Sequence, residues 1–572
     1  MRSLFSYLKP YRFKSIASPA LKCLEAVLEL FIPLLIASLI DKGILQNNTK
    51  HMLSTIILLF ILGVICFSVS LLAQYFAAQA SVGAATDIRK DLFAHIQTWN
   101  YNQLDVQSAS TLINRLTTDV LQIQTGLNMA MRLLLRSPFI VLGSLVMAIV
   151  IAPNMSFYFI ILITLLTILI LVIMYLSLPK QKKVQNQLDN LMQQTEENIT
   201  GVRVLRAFTM EDEEQKQFFN KTKLLYKLQI AVGKILAWQS PMSLFFVNGI
   251  LIVLLLSGSI KVNDGILSTG EVVALVNLLL QILTELLKLA NLIVIITKGI
   301  ASGKRVSAIL NTNFTNENGN EQPLSPTPII LDNVSFTYPQ DSISAISNIS
   351  FTAKKGETIG ILGGTGCGKS TLLLLIANFY KSTEGSILFN NHNINNLSSS
   401  YLREHIAIVP QKTTLIHASI KDNIKWGNLN ATDEEVINAL TLAQGLDIIK
   451  SKKDGLETII APQGKNLSGG QKQRITIARA LVKNADILLL DDCASALDYA
   501  TDKALRHALS TIANKPTIFI TAQRVSAVQN CDKIIVMDEG KIVAEGTHKS
   551  LLKDCAIYKE TYQLQFPLED GV

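Results

Sequence analysis

Six long apolar runs in the first half of the chain constrain its fold more than any other feature. Each run is about as long as the ~20 helical residues needed to cross the ~30 Å hydrocarbon core of a bilayer. Hydrophobic residues make up 49% of the 572 residues and charged residues only 17%, against a usual charged share of ~25%. We therefore expect six transmembrane helices, at about residues 17–41, 54–79, 132–153, 156–178, 243–262 and 271–297.

The loops between these runs predict how the chain is oriented across the membrane. Loops after the first, third and fifth runs are short, whereas those after the second and fourth are long and basic. Because Lys and Arg concentrate on the cytoplasmic side of a membrane, we expect the N-terminus, both long loops and everything after the sixth run to lie in the cytosol of a multi-pass cell-membrane protein. The same excess explains the net charge of +8, and no basic stripe with interleaved aromatics points to nucleic acid.

The two long loops, residues 79–131 and 180–236, keep helical patterning with few Gly or Pro. Each has a short break, at Asp105 to Ser110 in the first and at Thr200-Gly201 in the second. A helix pair that turns far from the bilayer can press its tip onto a cytosolic domain and couple the two mechanically. An ordinary soluble insertion is the alternative.

Three carboxylates lie inside the predicted spans, away from their ends: Glu25 and Glu29 in the first, and Glu285 in the sixth. Charges at membrane depth are costly and normally face a protein interior or a water-filled cavity. They are therefore candidates for a substrate cavity that favours cationic or polar amphiphilic compounds. Local pairing of Lys22 with Glu25 and of Glu285 with Lys288, at i,i+3 spacing, is the alternative, and both interpretations remain open.

The pattern changes near residue 311. Residues 311–328 are rich in Asn, Pro, Thr and Glu and poor in apolar residues, which is typical of a linker. From Ile329 onward, short apolar strands alternate with helical patterns, the signature of an α/β domain. We expect a membrane domain over 1–310, a linker over 311–328 and a second domain over 329–566.

A glycine-rich loop ending in Lys-Ser follows the apolar run Glu357 to Leu362 and precedes the helical run Thr371 to Asn378. Its backbone N–H groups and the helix N-terminus suit phosphate, Lys369 is placed to reach the β- and γ-phosphates, and the Ser370 hydroxyl suits Mg²⁺. The chain is thus predicted to bind ATP with Mg²⁺. The predicted ATP-binding residues are Gly363, Gly364, Thr365, Gly366, Cys367, Gly368, Lys369, Ser370 and Thr371.

Further motifs follow in an order that fits this loop. Tyr338 is placed to stack on adenine, and Gln411 ends a strand and offers an amide oxygen to Mg²⁺ or water. The buried strand Ile487 to Leu490 leads to Asp491, a second Mg²⁺ candidate through water, and then to Asp492. A further strand ends near Gln523. A further helix is predicted over Lys472 to Leu481, and its N-terminus is a second one able to bind phosphate. The motif that precedes this helix is Leu467, Ser468, Gly469, Gly470 and Gln471.

In this order and spacing, the motifs resemble those of the ABC transporter superfamily, and the fused arrangement resembles an exporter-type half-transporter. The resemblance implies an all-α transmembrane domain of six helices, of the type I exporter kind, followed by an α/β P-loop nucleotide-binding domain with a helical subdomain. It also implies a dimer with two ATP molecules between two nucleotide-binding domains. Leu467 to Gln471 match the family signature without deviation, and the resemblance implies that they serve the site on the partner chain.

Two positions depart from the family pattern. The catalytic carboxylate is usually Glu, but this chain has Asp492, which is one methylene shorter. The switch residue that contacts the γ-phosphate is usually His, but this chain has Gln523. Weak hydrolysis beside an intact signature resembles the catalytically degenerate subunit of bacterial heterodimeric multidrug exporters.

We therefore expect an ATP-driven translocase subunit for efflux of drugs or other amphiphilic compounds. Its expected partner is a second half-transporter with Glu and His at the two positions and a deviant signature. The alternatives are a lipid or peptide exporter, a slow homodimeric exporter, and a non-transporting ATP-sensing subunit. Polyspecific cavities carry no motif, so the sequence does not specify the substrate.

Overall fold

The computed structural model describes residues 6–312, 319, 321–323, 325–339 and 341–566. The chain divides into two compact units, the first comprising Met1–Thr98 and Ser108–Asn313, the second comprising Trp99–Gln107 and Phe314–Val572. Much of the predicted linker at 311–328 lies outside the described residues, as does the N-terminal start of the predicted membrane domain. The exact domain boundaries therefore stay predictions.

Within the described residues, the first unit contains six helical segments that are long and apolar enough to cross a membrane. They are 39 to 53 residues long, about twice what the hydrocarbon core requires at ~1.5 Å per residue, so the helices continue well beyond it. The prediction of six spans is confirmed, and the chain is a multi-pass membrane protein. The segments are Ser6–Ile44, Thr49–Gln97, Ala109–Ile151, Pro153–Thr200, Glu211–Asn263 and Thr269–Leu310.

Several of these segments contain more than one helix. A 3₁₀ turn over Ser6–Tyr11 precedes the first helix, and π-helical turns occur at Leu39–Ile44 and Arg115–Asp119. In chain order the helices up to residue 310, of which the third belongs to the second unit, are α1 (Arg12–Ser38), α2 (Thr49–Gln97), α3 (Tyr101–Val106), α4 (Ala109–Asn114), α5 (Val120–Leu133), α6 (Arg136–Ile151), α7 (Ser156–Thr200), α8 (Val202–Ala207), α9 (Glu211–Ala237), α10 (Gln239–Asn263) and α11 (Thr269–Leu310).

Short helices occur at both breaks that the sequence indicates. α3 ends at Val106 and α4 begins at Ala109, while α7 ends at Thr200 and α8 begins two residues later. α3 starts with a capping box in which the Asn100 side chain accepts from the Gln103 amide and the Gln103 side chain accepts from the Asn100 amide. This reciprocal pair supplies partners to backbone donors that a helix start otherwise leaves free.

In the part of the second unit that the structure describes, the strands form two sheets. A four-stranded sheet has the order β2-β1-β4-β5, and a six-stranded sheet has the order β10-β9-β3-β8-β7-β6. In the larger sheet only the outer pair of β9 and β10 is antiparallel. The strands are β1 (Ile329–Phe336), β2 (Ile346–Ala353), β3 (Thr358–Leu362), β4 (Glu384–Phe389), β5 (His392–Asn393), β6 (Ile406–Val409), β7 (Ile487–Asp491), β8 (Thr517–Ala522), β9 (Lys533–Asp538) and β10 (Lys541–Gly546).

Helices cover the larger sheet. β7 and β8 are buried along their whole length, as expected for parallel strands covered on both faces, which are nearly continuous apolar runs. The predicted membrane domain followed by an α/β domain is confirmed. The helices of the second unit after residue 310 are α12 (Lys369–Ile376), α13 (Ser399–His405), α14 (Ile420–Lys425), α15 (Asp433–Leu442), α16 (Leu446–Lys450), α17 (Gly469–Leu481), α18 (Tyr499–Ser510), α19 (Val525–Val528), α20 (His548–Asp554) and α21 (Ala556–Gln565).

Two helices begin earlier than their patterns predict. α12 starts at Lys369 rather than Thr371, directly after Gly368, whose φ of +94° only glycine adopts readily. α17 starts at Gly469 rather than Lys472 because Ser468 acts as its N-cap. Both corrections extend the helix toward the predicted phosphate-binding residues.

Candidate nucleotide-binding site

Four neighbouring strands of the larger sheet bring the predicted site residues to one edge. β3, β8, β7 and β6 are adjacent and parallel, so their carboxyl ends meet at the same edge, where ligands bind in open α/β sheets. β3 leads into the glycine-rich loop, β8 ends before Gln523, β7 ends at Asp491, and Gln411 lies just beyond β6. Residues spread over more than 150 positions therefore line one cleft, because the strand order places them there.

The glycine-rich loop shows where side chains are excluded. A Cβ at Gly363 would lie 2.3 Å from the Met537 carbonyl oxygen, so this position accepts only glycine without a shift of the backbone. A Cβ at Gly364 or Gly366 would meet nothing within 4 Å. The backbone of these two residues therefore faces open space, as a cradle for phosphate groups requires.

Lys369 is the first residue of α12 and is buried. Its Nζ donates to the Gly363 carbonyl oxygen at 2.8 Å and also contacts the carbonyl oxygen of Gly364. The ammonium is thus held over the loop. Cys367, also buried, lies beneath it, with its Sγ 3.6 Å from the same Nζ.

Ser370 and Asp491 meet at the junction of the loop and β7. The Ser370 hydroxyl donates to Asp491 Oδ1 at 2.9 Å, and the Thr521 hydroxyl donates to the same oxygen at 2.8 Å. Thr521 in turn accepts from the Asp492 amide at 2.9 Å. Hydroxyl and carboxylate oxygens at one point are the hard ligands that Mg²⁺ prefers, directly or through water.

Asp492 has an unusual backbone conformation. Its φ is +45°, a left-handed value that non-glycine residues seldom adopt and that clusters at functional sites. Burial raises the pKa of its carboxyl, and the neighbouring Asp491 raises it further. Asp492 and Gln523 both line the nucleotide cleft, and their catalytic roles stay predictions.

Tyr338 lines the cleft beside the start of α12 and belongs to an aromatic cluster. Its hydroxyl lies 3.1 Å from the Thr371 hydroxyl, which ties it to α12. Its ring packs edge-on against Phe336 and Tyr380, with centroid distances of 4.9 and 5.4 Å. A partly buried, braced tyrosine beside the loop offers an aromatic surface for a base.

The cleft has a volume of about 840 Å³, within the range of small-molecule sites. The glycine backbone, the Lys369 ammonium and the Ser370–Asp491 pair together form a donor set that fits a nucleoside triphosphate with Mg²⁺. The lining contains most of the predicted residues, with additions that the sequence did not single out. It comprises Tyr338, Asp341, Ile343, Ser344, Ala345, Thr365, Gly366, Gly368, Lys369, Ser370, Thr371, Gln411, Asp491, Asp492, Gln523, Glu539 and Gly540.

The signature residues lie apart from this lining. Ser468 caps α17 through a capping box with Gln471, at 3.3 Å for the bond from the Gln471 amide and 3.0 Å for the bond from the Ser468 amide. Leu467 is buried in the core, whereas Ser468 and Gly469 are exposed. A Cβ at Gly470 would come within 3.1 Å of the Ala496 carbonyl oxygen. The exposed helix start suits recognition of a second chain's nucleotide, which stays a prediction.

The short helix α3 packs within the second unit against the segment that follows α12. Tyr101 stacks on Phe379 at a centroid distance of 4.3 Å and an interplanar angle of 10°. The Tyr380 hydroxyl donates to Asp105 at 2.6 Å. Burial raises the pKa of Tyr380, and the hydrogen bond to Asp105 raises it further.

In the first unit, the three carboxylates predicted inside the spans all lie near Arg136, which the sequence patterns did not single out. Arg136, at the start of α6, donates to Glu29 at 2.7 Å and to Glu285 at 2.8 Å, and its Nε lies 3.7 Å from Glu25. The local pairs also form, at 2.6 Å for Lys22 with Glu25 and 2.8 Å for Lys288 with Glu285. Three carboxylates thus face three cations, and assignment of the acids to a substrate cavity stays a prediction.

The site contains residues that sequence reasoning missed. Thr521 was not singled out as a site residue. A hydroxyl near the carboxyl end of the buried strand β8, which pairs with β7, was a usable signal. Arg136 was also overlooked, although it and Arg132 are the two cations inside the predicted third span, residues 132–153. Tyr380 carried no signal, because its partner Asp105 is 275 positions away.

Comparisons with known proteins agree with this architecture. Residues 15–286 match the family described as ABC transporter transmembrane region, and residues 346–495 match the family described as ABC transporter. The chain is 34% identical over 570 residues to YfiB of Bacillus subtilis (strain 168), named an uncharacterized ABC transporter ATP-binding protein. That alignment covers 100% of this chain and 99% of the relative.

Two further similarities concern lipid transport and fold. The chain is 29% identical over 570 residues to a protein of Idiomarina loihiensis named ATP-dependent lipid A-core flippase, covering 99% of this chain and 97% of the relative. A solved structure, described as a bacterial Atm1-family ABC exporter with ATP bound, superposes with a TM-score of 0.83 at 21% identity. It covers 98% of this chain and 99% of its own, and shows the shared fold.

Proposed function

Because this chain belongs to the ABC transporter superfamily and fuses an exporter's transmembrane and ATP-binding domains, we propose that it exports drugs or other amphiphilic compounds as one half of a heterodimer. In that assembly, its own ATP site binds nucleotide and hydrolyses it slowly. Its signature completes the faster site on the partner. The N-terminus and the nucleotide-binding domain lie in the cytosol, where ATP is available.

The observation that carries this proposal is the pairing of Asp492 and Gln523 in one cleft. An ABC ATPase of the ordinary kind has Glu and His at these positions. The Asp492 carboxylate is one methylene shorter than Glu, and a misplacement of ~1 Å can cost on the order of 10² in rate. Gln523 cannot supply or accept a proton near neutral pH. Both changes weaken hydrolysis and leave the phosphate-binding residues unaltered.

The intact signature supports a division of labour between two chains. Leu467 to Gln471 retain the family sequence, although the site on the same chain is altered. The chain thus keeps the residues that would complete the partner's ATP site, whereas its own ATP site is altered. This combination suits an asymmetric dimer. We propose a partner half-transporter with Glu and His in its own site and a deviant signature.

Mg²⁺-ATP is the proposed ligand, and when bound it supplies the free energy of phosphoryl transfer. The backbone of Gly364 and Gly366 orients the phosphates, and Lys369 neutralises their charge. Ser370 and Asp491 hold the cation, with Gln411 at the cleft edge contributing an amide oxygen, and Tyr338 offers its ring to adenine. Nucleotide that binds the closed dimer more tightly than the open one shifts the population toward closure.

A lipid substrate is the second candidate, because two relatives of nearly this length are named lipid A-core flippases. The balanced charges around Arg136 argue against a strongly anionic or cationic cavity and suit a zwitterionic or neutral amphiphile. The alternatives of a slow homodimer and a non-transporting ATP sensor predict different outcomes of one reconstitution experiment, and a peptide exporter is a further alternative.

The experiment is to reconstitute the chain with the proposed partner half-transporter and to measure drug-stimulated ATPase activity and efflux. Ser468→Arg in this chain should abolish most turnover, because it blocks the active site on the partner. Asp492→Asn should reduce turnover less than twofold. The reverse pattern, or equal losses, contradicts the heterodimer. Movement of a labelled lipid without drug efflux favours the lipid alternative, and absence of any transport favours the sensor.

A further inference from the structure

The side chain of Gln565, the last residue of α21, bridges the segment that follows β8. Its Nε2 donates to the Gln523 carbonyl oxygen at 3.0 Å. Its Oε1 accepts from the Val525 amide at 2.7 Å. One side chain therefore holds the backbone on both sides of Arg524.

Only a carboxamide can make this pair of contacts at this length. It carries a donor and an acceptor on one carbon, and the two partners, a carbonyl and an N–H, decide which end is which. Val525 is the first residue of α19, so its amide has no acceptor within its own helix. Glutamate would keep the bond to Val525 but would oppose the Gln523 carbonyl with a second acceptor.

The helix that carries Gln565 is anchored to the same core as the segment it holds. Tyr558 of α21 is fully buried, and its hydroxyl lies 2.7 Å from His548 Nδ1. Tyr558 and Cys555 share a hydrophobic cluster with Ala522 of β8 and Val525. The two hydrogen bonds thus connect parts of one hydrophobic core. We infer that they hold the backbone of residues 523–525 in place.

We propose that Gln565 is a positioning residue for the nucleotide site, acting through Gln523. Gln523 lines the nucleotide cleft, and its backbone carbonyl accepts a hydrogen bond from Gln565. This inference rests on the proposed role of Gln523 beside the terminal phosphate. Its consequence is selective: affinity for ATP, which has a γ-phosphate, depends on Gln565, whereas affinity for ADP does not.

The test is competition of unlabelled ATP and ADP against photoreactive 8-azido-ATP on the full-length chain in membranes, at low temperature with Mg²⁺. The cross-linked label on this chain is separated by molecular mass from any label on a partner. The affinities of this chain can therefore be measured in a heterodimer as well as in a homodimer. The variants are Gln565→Leu and Gln523→Ala, singly and together. Gln563→Leu is the matched control, because Gln563 is an exposed glutamine two residues earlier on the same helix.

Gln565 is exposed to water, which competes for both of its hydrogen-bonding groups, so the expected effect is modest. Gln565→Leu should weaken competition by ATP threefold to tenfold and change competition by ADP less than 1.5-fold. It should add nothing in the Gln523→Ala background, because residues that act as a unit are not additive. Gln563→Leu should change neither.

Three results would overturn the proposal. Parallel losses of ATP and ADP affinity indicate a general structural role for Gln565, and additive effects with Gln523→Ala indicate independent action. If Gln523→Ala leaves the ratio of ATP affinity to ADP affinity unchanged, Gln523 does not act on the terminal phosphate and the premise of the proposal is wrong. That result would not bear on whether the chain pairs with a partner. If Gln565→Leu does not reach the membrane, Gln565→Glu keeps the size and one hydrogen bond, and the same comparison is made with it.

Discussion

The hydroxyl of Ser370, at the start of α12, donates a hydrogen bond of 2.9 Å to Oδ1 of Asp491, at the end of β7. These residues are 121 positions apart in the chain. Their contact joins the phosphate-binding loop to the strand that carries the acidic pair. It also places a hydroxyl and a carboxylate where both can serve one cation.

We predict that Ser370→Ala and Asp491→Asn each weaken Mg²⁺-dependent ATP binding, and that the double variant loses less than the sum. Groups in direct contact usually show coupling energies of ~0.5–3 kcal/mol. Calorimetric titration of the full-length chain with ATP, with Mg²⁺ and with EDTA, measures the effect. Ser510→Ala serves as the control, because its hydroxyl is exposed on α18 and donates only to His507 within the helix. Additive losses would show that the two residues do not share a cation.

The hydrogen bond between Tyr380 and Asp105 should contribute to docking of α3. We predict that Tyr380→Phe and Asp105→Ala are coupled by ~1 kcal/mol, the usual net value of one hydrogen bond, in a double-mutant cycle of thermal unfolding. The pKa of Tyr380 is raised above its ordinary value near 10. Its neutral, donating form is therefore fully present below pH ~10 and is lost only as the pH rises through the raised pKa.

The coupling between Tyr380 and Asp105 should accordingly be equal at pH 7 and pH 9. A coupling that falls between these values, or that is absent at both, contradicts the assigned contact. Tyr101→Leu provides a comparison at the same helix, because it removes the stack on Phe379 and the ring contact with Tyr380 but keeps the hydroxyl and the carboxylate of the hydrogen-bonded pair.

The charge cluster around Arg136 makes a prediction for stability. Arg136→Met leaves Glu25, Glu29 and Glu285 without their shared cation, and removal of one member of a buried ion pair typically costs ~3–5 kcal/mol. Lys288→Met removes a cation that is 48% exposed, for which a loss of at most ~1 kcal/mol is expected. Unfolding temperatures of the two variants in one detergent provide the measurement. Equal losses would mean that Arg136 does not organise the cluster.

The elements that line the candidate nucleotide cleft can be anticipated from the sequence, because each of them follows from a local pattern. A strand, a glycine-rich loop and a helix are consecutive in the chain, and each additional strand end carries its own short motif. Parallel strand order then brings Lys369, Asp491 and Gln523 to one edge. The proximity of these three residues follows from the order of the strands and does not depend on how individual side chains pack.

The contacts that sequence reasoning missed join residues with no local pattern between them. Arg136 meets Glu29 and Glu285 across 107 and 149 positions, and only the packing of α1, α6 and α11 decides that all three carboxylates face one cation. Gln565 is one of many polar residues at the exposed end of a helix. Its role depends on two backbone groups whose position is set by α19.

In the proposed function, this chain binds ATP but hydrolyses it slowly. The most direct measurement is Mg²⁺-dependent ATPase activity of the purified chain alone, with Lys369→Met as the binding-deficient background. We predict ATP binding with turnover close to that background. Asp492→Glu should raise turnover partially, because Gln523 remains, and Asp492→Glu with Gln523→His should raise it by on the order of 10². Turnover of ~1 s⁻¹ or more by the unaltered chain, within the usual range for enzymes, would contradict the claim.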